Sequence, residues 1–226
     1  EWPLARAKER SLYLTSDGQA NTPEGNGRLS NAPPSVAMSD RNSYDPKNPV
    51  PTLYDEWRGE TKYYTTTTDQ RALADREDIL VYQSEPLAER IEVTGNLIVE
   101  LHAASSAPDT DFFVRLIDVA PDGLARDVSM GMVRSRYRDG LDKPKLMEPG
   151  EVVKYTIRMN PTSNAFLPGH RIRLDITSSD FPNYDRNHNT AADQNADAAL
   201  ETATQIVHHG GTRPTRVVLP WIEQPQ

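Results

Sequence analysis

From residue 79 onward, apolar and polar positions alternate with a period of two over several stretches. Val153, Tyr155, Ile157 and Met159 are separated by Lys154, Thr156 and Arg158. Ile172, Leu174 and Ile176 interleave with Arg171, Arg173, Asp175 and Thr177, and Leu97, Val99, Leu101 and Ala103 repeat the theme. Successive residues of a strand point to opposite faces, so this spacing predicts strands half buried against a core, with charges on the other face. Residues 112–116 (FFVRL) are nearly continuous apolar, as expected of an inner strand covered on both faces. Between these stretches lie explicit turns. Ala120-Pro121-Asp122-Gly123 reads as a hairpin connection, while Glu148-Pro149-Gly150 and Leu167-Pro168-Gly169 have the Pro-then-Gly order of a type II turn. Residues 191–204, rich in Ala, Asp, Gln and Glu, predict a helix of about three turns. Residues 205–208 and 215–219 predict two closing strands. The pattern specifies an all-β, antiparallel sandwich of jelly-roll type.

Residues 1–68 read differently. Seven prolines fall within the first 51 residues, and Gly18, Gly25, Gly27 and Gly59 add further breaks. Short strands are expected at 12–14, 28–30 and 43–44. Trp2, Leu12, Tyr13, Leu14, Leu53, Tyr54 and Trp57 give the region something to bury, so it is expected to be ordered though irregular. The chain is thus read as one sandwich domain over 1–226, with a loop-rich excursion at 1–68 and the main sandwich at 69–226.

Composition sharpens this picture. Proline makes up 18 of the 226 residues, about 8% against a usual ~5%, which excludes a helical bundle. The formal net charge is −8, from 25 basic and 33 acidic residues. That balance speaks against a nucleic-acid partner, which needs a basic stripe for its phosphates. The longest aliphatic stretches, such as residues 79–82, fall far short of the ~20 that a membrane helix requires, so no membrane span is expected. With no Cys, disulfides, thiolate zinc sites and thiol nucleophiles are all excluded. Cytoplasmic and exported settings both fit. A first residue of Glu with no signal-like segment after it is expected of a piece of something longer.

Little in the chain has the form of a catalytic motif. No Gly begins a G-x-S-x-G elbow; the nearest approach, Ser129 in DVSMG, lacks the first Gly and is expected to be structural. His102, His170, His188, His208 and His209 lack the spacings of a metal motif, so no catalytic residue, metal site or cofactor is expected. Two clusters, residues 109–111 (DTD) and 183–189 (NYDRNHN), suit either turn chemistry or a calcium ion. Trp2, Trp57 and Trp221 with nine Tyr leave a carbohydrate-binding module as an alternative function.

Several segments together resemble one family. These are residues 44–51 (YDPKNPVP), 69–71 (DQR), 75–87 (DREDILVYQSEPL), 93–95 (VTG), 109–119 (DTDFFVRLIDV), 134–138 (RSRYR), 164–171 (NAFLPGHR) and 178–189 (SSDFPNYDRNHN). Their order is similar to that in the C-terminal domain of the cocaine esterase, X-Pro dipeptidyl-peptidase and α-amino-acid ester hydrolase family of serine hydrolases. The resemblance covers about residues 11–222. It implies a galactose-binding-domain-like jelly roll that packs on an α/β-hydrolase catalytic domain of the same parent chain. The triad would lie in that preceding part, and the sandwich would shape the cleft and help set a homo-oligomeric assembly. In the cocaine esterases the stretch corresponding to residues 52–68 approaches substrate. The resemblance therefore makes Leu53, Tyr54, Trp57, Tyr63 and Tyr64 substrate-cleft candidates, with packing on the neighbouring domain as the other use of these rings. The YYTTTT run at 63–68 departs from the family's more Gly-rich pattern.

Overall fold

The alternating segments fold as strands of a sheet that doubles over into two layers. The structure, a computed structural model, describes residues 2–53, 55–57, 61–63, 68–194, 196 and 198–222. Its strands are β1 (Ala7–Thr15), β2 (Arg28–Ser30), β3 (Met38–Tyr44), β4 (Asp55–Trp57) and β5 (Thr61–Tyr63). They continue as β6 (Leu80–Gln83), β7 (Ile91–Gly95), β8 (Ile98–Ser105), β9 (Asp111–Val119) and β10 (Ala125–Arg134). The remainder are β11 (Val153–Arg158), β12 (Thr162–Phe166), β13 (Arg171–Thr177), β14 (Ala203–His209) and β15 (Arg216–Ile222). Thirteen form one sheet in the order β10-β9-β13-β6-β2-β1-β15-β8-β14-β3, with β11 on β8, β7 on β15 and β12 on β7. Every pairing in it is antiparallel except the single parallel contact Arg28–Gln83.

The core lies between the layers. Phe112, Val114 and Leu116 of β9 and Ile172, Leu174 and Ile176 of β13 meet Val99 and Leu101 of β8, Tyr155 and Ile157 of β11, and Val217 and Leu219 of β15. The Phe112 and Tyr155 rings sit 5.2 Å apart between centroids. Burying each such side chain contributes roughly 1.5–3 kcal/mol, so this interior carries the sandwich. No helix among the described residues is long and apolar enough to cross a membrane.

Three local expectations are revised. The strand expected at 12–14 runs from Ala7 to Thr15, because its first half is held by a ladder to β15 from Ala7–Ile222 to Tyr13–Arg216. That half is largely exposed and so carries no apolar alternation. The helix expected at 191–204 does not form among the described residues; β14 begins at Ala203, paired with Tyr44. Side chains claim the backbone carbonyls just before it: Arg136 donates to Thr190 O and Ala192 O, and Asn189 to Glu201 O. Finally, the charged face of β13 is covered beyond Arg171. Arg173 and Asp175 are both buried, closed on each other by bonds of 2.6 and 2.7 Å.

Candidate functional site

A third layer explains that burial. Val81 of β6, Asp175 of β13 and Arg115 of β9 stand side by side across the sheet, on the face away from the main core. Val81 packs there with Val50, Leu73 and Ile79, and Leu53 lies against this small cluster, partly buried. The covering segments, residues 44–53 and 178–189, are stitched together. Pro51 and Phe181 form a parallel bridge, Thr52 N donates to Phe181 O at 2.7 Å, and Phe181 N donates to Val50 O at 2.9 Å. Ser179 Oγ accepts from Val50 N, Thr52 Oγ1 accepts from Asn183 N, and Tyr44 donates its phenol proton to Asn187 O.

The stretch from Thr52 to Thr68, the arm, starts at this seam. Within it β4 and β5 form a two-stranded hairpin in which Asp55 pairs with Tyr63, Glu56 with Lys62 and Trp57 with Thr61. The arm returns at Thr68, whose carbonyl accepts from Asp127 N at 3.2 Å and from Gln70 Nε2 at 3.3 Å. Asp69 then caps a short 3-10 turn, Gln70–Leu73, by accepting from Arg71 N.

Beneath the two feet of the arm lies Arg115, 5% exposed. Its Nη2 donates to Asp180 Oδ1 at 2.5 Å, and its Nη1 donates to Asp127 Oδ2 at 3.3 Å and Gln70 Oε1 at 3.1 Å. Asn183 Nδ2 completes the shell of Asp180 at 2.9 Å.

The two acidic clusters weighed for calcium meet nearby, joined by arginine. Arg136 Nε donates to Asp109 at 2.7 Å, and Arg134 grips Asp111 through two bonds of 2.8 and 2.9 Å while also reaching Asp185. Asn187 Nδ2 bridges Asp109 and Asp111. Burial pushes the Asp111 carboxyl up to about 6, against the pull of Arg134 and Asn187. The carboxylates of Asp109 and Asp111 hold guanidinium and amide partners, so ion-pair and turn chemistry accounts for both clusters.

Ser16, Asp40 and His209 also converge, a grouping with the composition of a hydrolytic triad but not its order. Ser16 Oγ donates to Asp40 at 2.6–2.7 Å, and His209 Nε2 faces both Asp40 Oδ2 (3.0 Å) and Ser16 Oγ (3.2 Å). Tyr82 donates to Asp40 at 2.8 Å. A nucleophilic serine must give its proton to the imidazole, with the carboxylate on the far ring nitrogen. Here the carboxylate accepts the serine's hydrogen bond itself and faces the same imidazole nitrogen as the serine, and all three residues are buried. The cluster is structural.

A cleft of about 500 Å³ opens between β10 and β12, where Arg126, Asp118, His170, Thr162, Asn164 and Leu167 are among its lining residues. Beside it β10 bulges between Asp127 and Ser129. No Phe, Tyr or Trp is among the described residues lining it, so it lacks the broad ring faces that stack on a sugar.

The chain matches, over residues 1–218, the family described as the X-Pro dipeptidyl-peptidase C-terminal non-catalytic domain. It belongs to that family. Cocaine esterase of Rhodococcus sp. (strain MB1 Bresler) is 41% identical over 230 residues, which cover 99% of this chain and 39% of the esterase. Among solved structures, an aminopeptidase from a marine-sediment Thaumarchaeota archaeon superposes with a TM-score of 0.86 at 32% identity. That match covers 99% of this chain and 38% of the aminopeptidase. An α-amino acid ester hydrolase gives 0.79 at 29% identity, covering 94% of this chain and 36% of its own. The chain thus spans under two fifths of the length of these relatives.

Within this C-terminal domain, the cleft candidates share one arm. Leu53 sits at its departing foot, and Trp57 and Tyr63 lie on the two strands of its hairpin. Tyr54 and Tyr64 lie outside the described residues. Sequence reasoning missed the residues that hold the arm: Thr52, Thr68, Gln70, Arg115 and Asp180. One signal was present. Arg115 interrupts an otherwise apolar run, FFVRLI, and a charge in an inner strand demands buried partners.

Proposed function

We propose that the chain is the accessory sandwich of an α/β serine hydrolase that cleaves esters or X-Pro peptide bonds. It docks on the catalytic domain of its parent chain and lends the 52–68 arm to one wall of the substrate cleft. The observation that carries this reading is the anchoring of the arm. Thr52 and Thr68 are two fixed feet, the first at the seam where two family motifs meet, and the sequence between them carries Leu53 and four aromatic residues. In the parent enzyme the serine attacks the acyl carbon, a histidine takes its proton, and water later releases the acyl group. The arm's share is to exclude water and orient the acyl or leaving group through apolar contact. The sandwich also contributes to homo-oligomeric assembly, which size-exclusion chromatography with and without the domain reports.

The test is kinetic and uses the full parent protein. Leu53→Ala, Tyr54→Ala, Trp57→Ala, Tyr63→Ala and Tyr64→Ala are assayed singly on an ester and an X-Pro amide. Losing one apolar wall contact is worth roughly 1–3 kcal/mol, or 10–200-fold in kcat/KM. At least one variant is expected to lose activity on that scale with its melting temperature unchanged. Five variants with wild-type kcat/KM would remove the arm from the cleft.

A further inference from the structure

We infer that Arg115 is a positioning residue for the 52–68 arm, fixing both of its feet through one guanidinium. The inference rests on the reading of the arm as a cleft wall. The departing foot, Thr52, is bonded to Phe181 and Asn183, and the carboxylate of the residue just before Phe181, Asp180, receives both Arg115 and Asn183. The returning foot, Thr68, accepts from the backbone N–H of Asp127 and from Gln70 Nε2, and the side-chain oxygens of those same two residues receive Arg115. Each foot therefore stands one residue or one side chain from the same buried cation.

The neighbouring pair shows that this geometry is not simply what a charge on this face requires. Arg173 satisfies itself on Asp175, two residues away on its own strand. Arg115 instead spreads its bonds over the 3-10 turn after Thr68, over β10, and over the 178–189 loop. A planar fork reaches three acceptors in three directions; an ammonium on a flexible stem keeps the charge but not the span. Loosening that span frees the feet separately from the sandwich, whose core lies on the other face of β9.

The experiment compares the full parent protein with its Arg115→Lys and Gln70→Met variants, and with Arg173→Lys as the control on the same buried face. Hydrogen exchange is read by mass spectrometry on peptides containing the Thr52 and Asp127 amides, alongside kcat and KM for an ester substrate. Arg115→Lys is expected to speed exchange in both peptides about tenfold or more through local opening. KM should rise several-fold with kcat within about twofold, as for lost uniform binding. Arg173→Lys should leave the foot peptides and KM at wild-type values. Should Arg115→Lys fail to fold, Gln70→Met cuts the returning foot alone, and faster exchange in the Asp127 peptide supports the assignment. Unchanged exchange at both feet in a folded Arg115→Lys variant overturns it, whatever KM does. Faster exchange at the feet with unchanged KM upholds Arg115 as the anchor and instead refutes the cleft-wall reading.

Discussion

Asp40 illustrates how single residues hold this sandwich together. Burial alone would raise its carboxyl, but hydrogen bonds from His209, Ser16 and Tyr82 outweigh that and hold it below its ordinary 3.8. Burial, reinforced by the Asp40 charge, pushes the Tyr82 phenol well above its usual range. Because the folded value of Asp40 is depressed, its ionised form stabilises the fold above the unfolded value of about 3.9. That contribution fades as pH falls through the lower folded value. Asp40→Asn is expected to cost about 1.5–3 kcal/mol at pH 7, the range for a bond to a charged group. The gap to wild type should narrow towards pH 3. Urea melts at the two pH values check both the size and the sign.

At the scale of elements, the strands with one face on the core were legible and those with a second cover were not. β11 shows the alternation its sequence promises, with Tyr155 and Ile157 buried and Lys154, Thr156 and Arg158 exposed. β13 carries equally clear alternation, yet its charged face is also buried, because residues 44–53 and 178–189 arrive from distant parts of the chain. No local pattern announces such a cover. The partners of Arg115 lie 45, 12 and 65 residues away, so its role follows from tertiary placement and not from spacing. Gly131 makes a related point at a crossing. A Cβ there would meet Arg158 O at 2.6 Å and Met159 Cα at 2.9 Å, both backbone atoms that cannot swing aside. Gly131→Ala is therefore expected to destabilise the fold by about 1–3 kcal/mol, the usual cost of overpacking. Thermal denaturation of the variant would show the corresponding drop in Tm.

For the whole molecule, the family resemblance found in the sequence motifs and the architecture agree, and the chain is a non-catalytic C-terminal domain. The cleft candidates were legible only through that resemblance, since nothing in the composition of residues 52–68 distinguishes a cleft wall from an interface. The buried Ser16–Asp40–His209 cluster adds a specific expectation. Chain 1–226 by itself should neither turn over a p-nitrophenyl ester nor be labelled by a fluorophosphonate probe, whereas the full parent should do both. Labelling at Ser16 would contradict the structural role assigned to it.

The pairing of β1 with β15 has a bearing on the order in which this protein is built. Within this domain Ala7 is synthesised more than two hundred residues before its ladder partner Ile222. Until then the first strand has one open edge, and the seam between the two layers cannot shut. During synthesis the domain is thus expected to stay half-zipped until β15 arrives to lock β1.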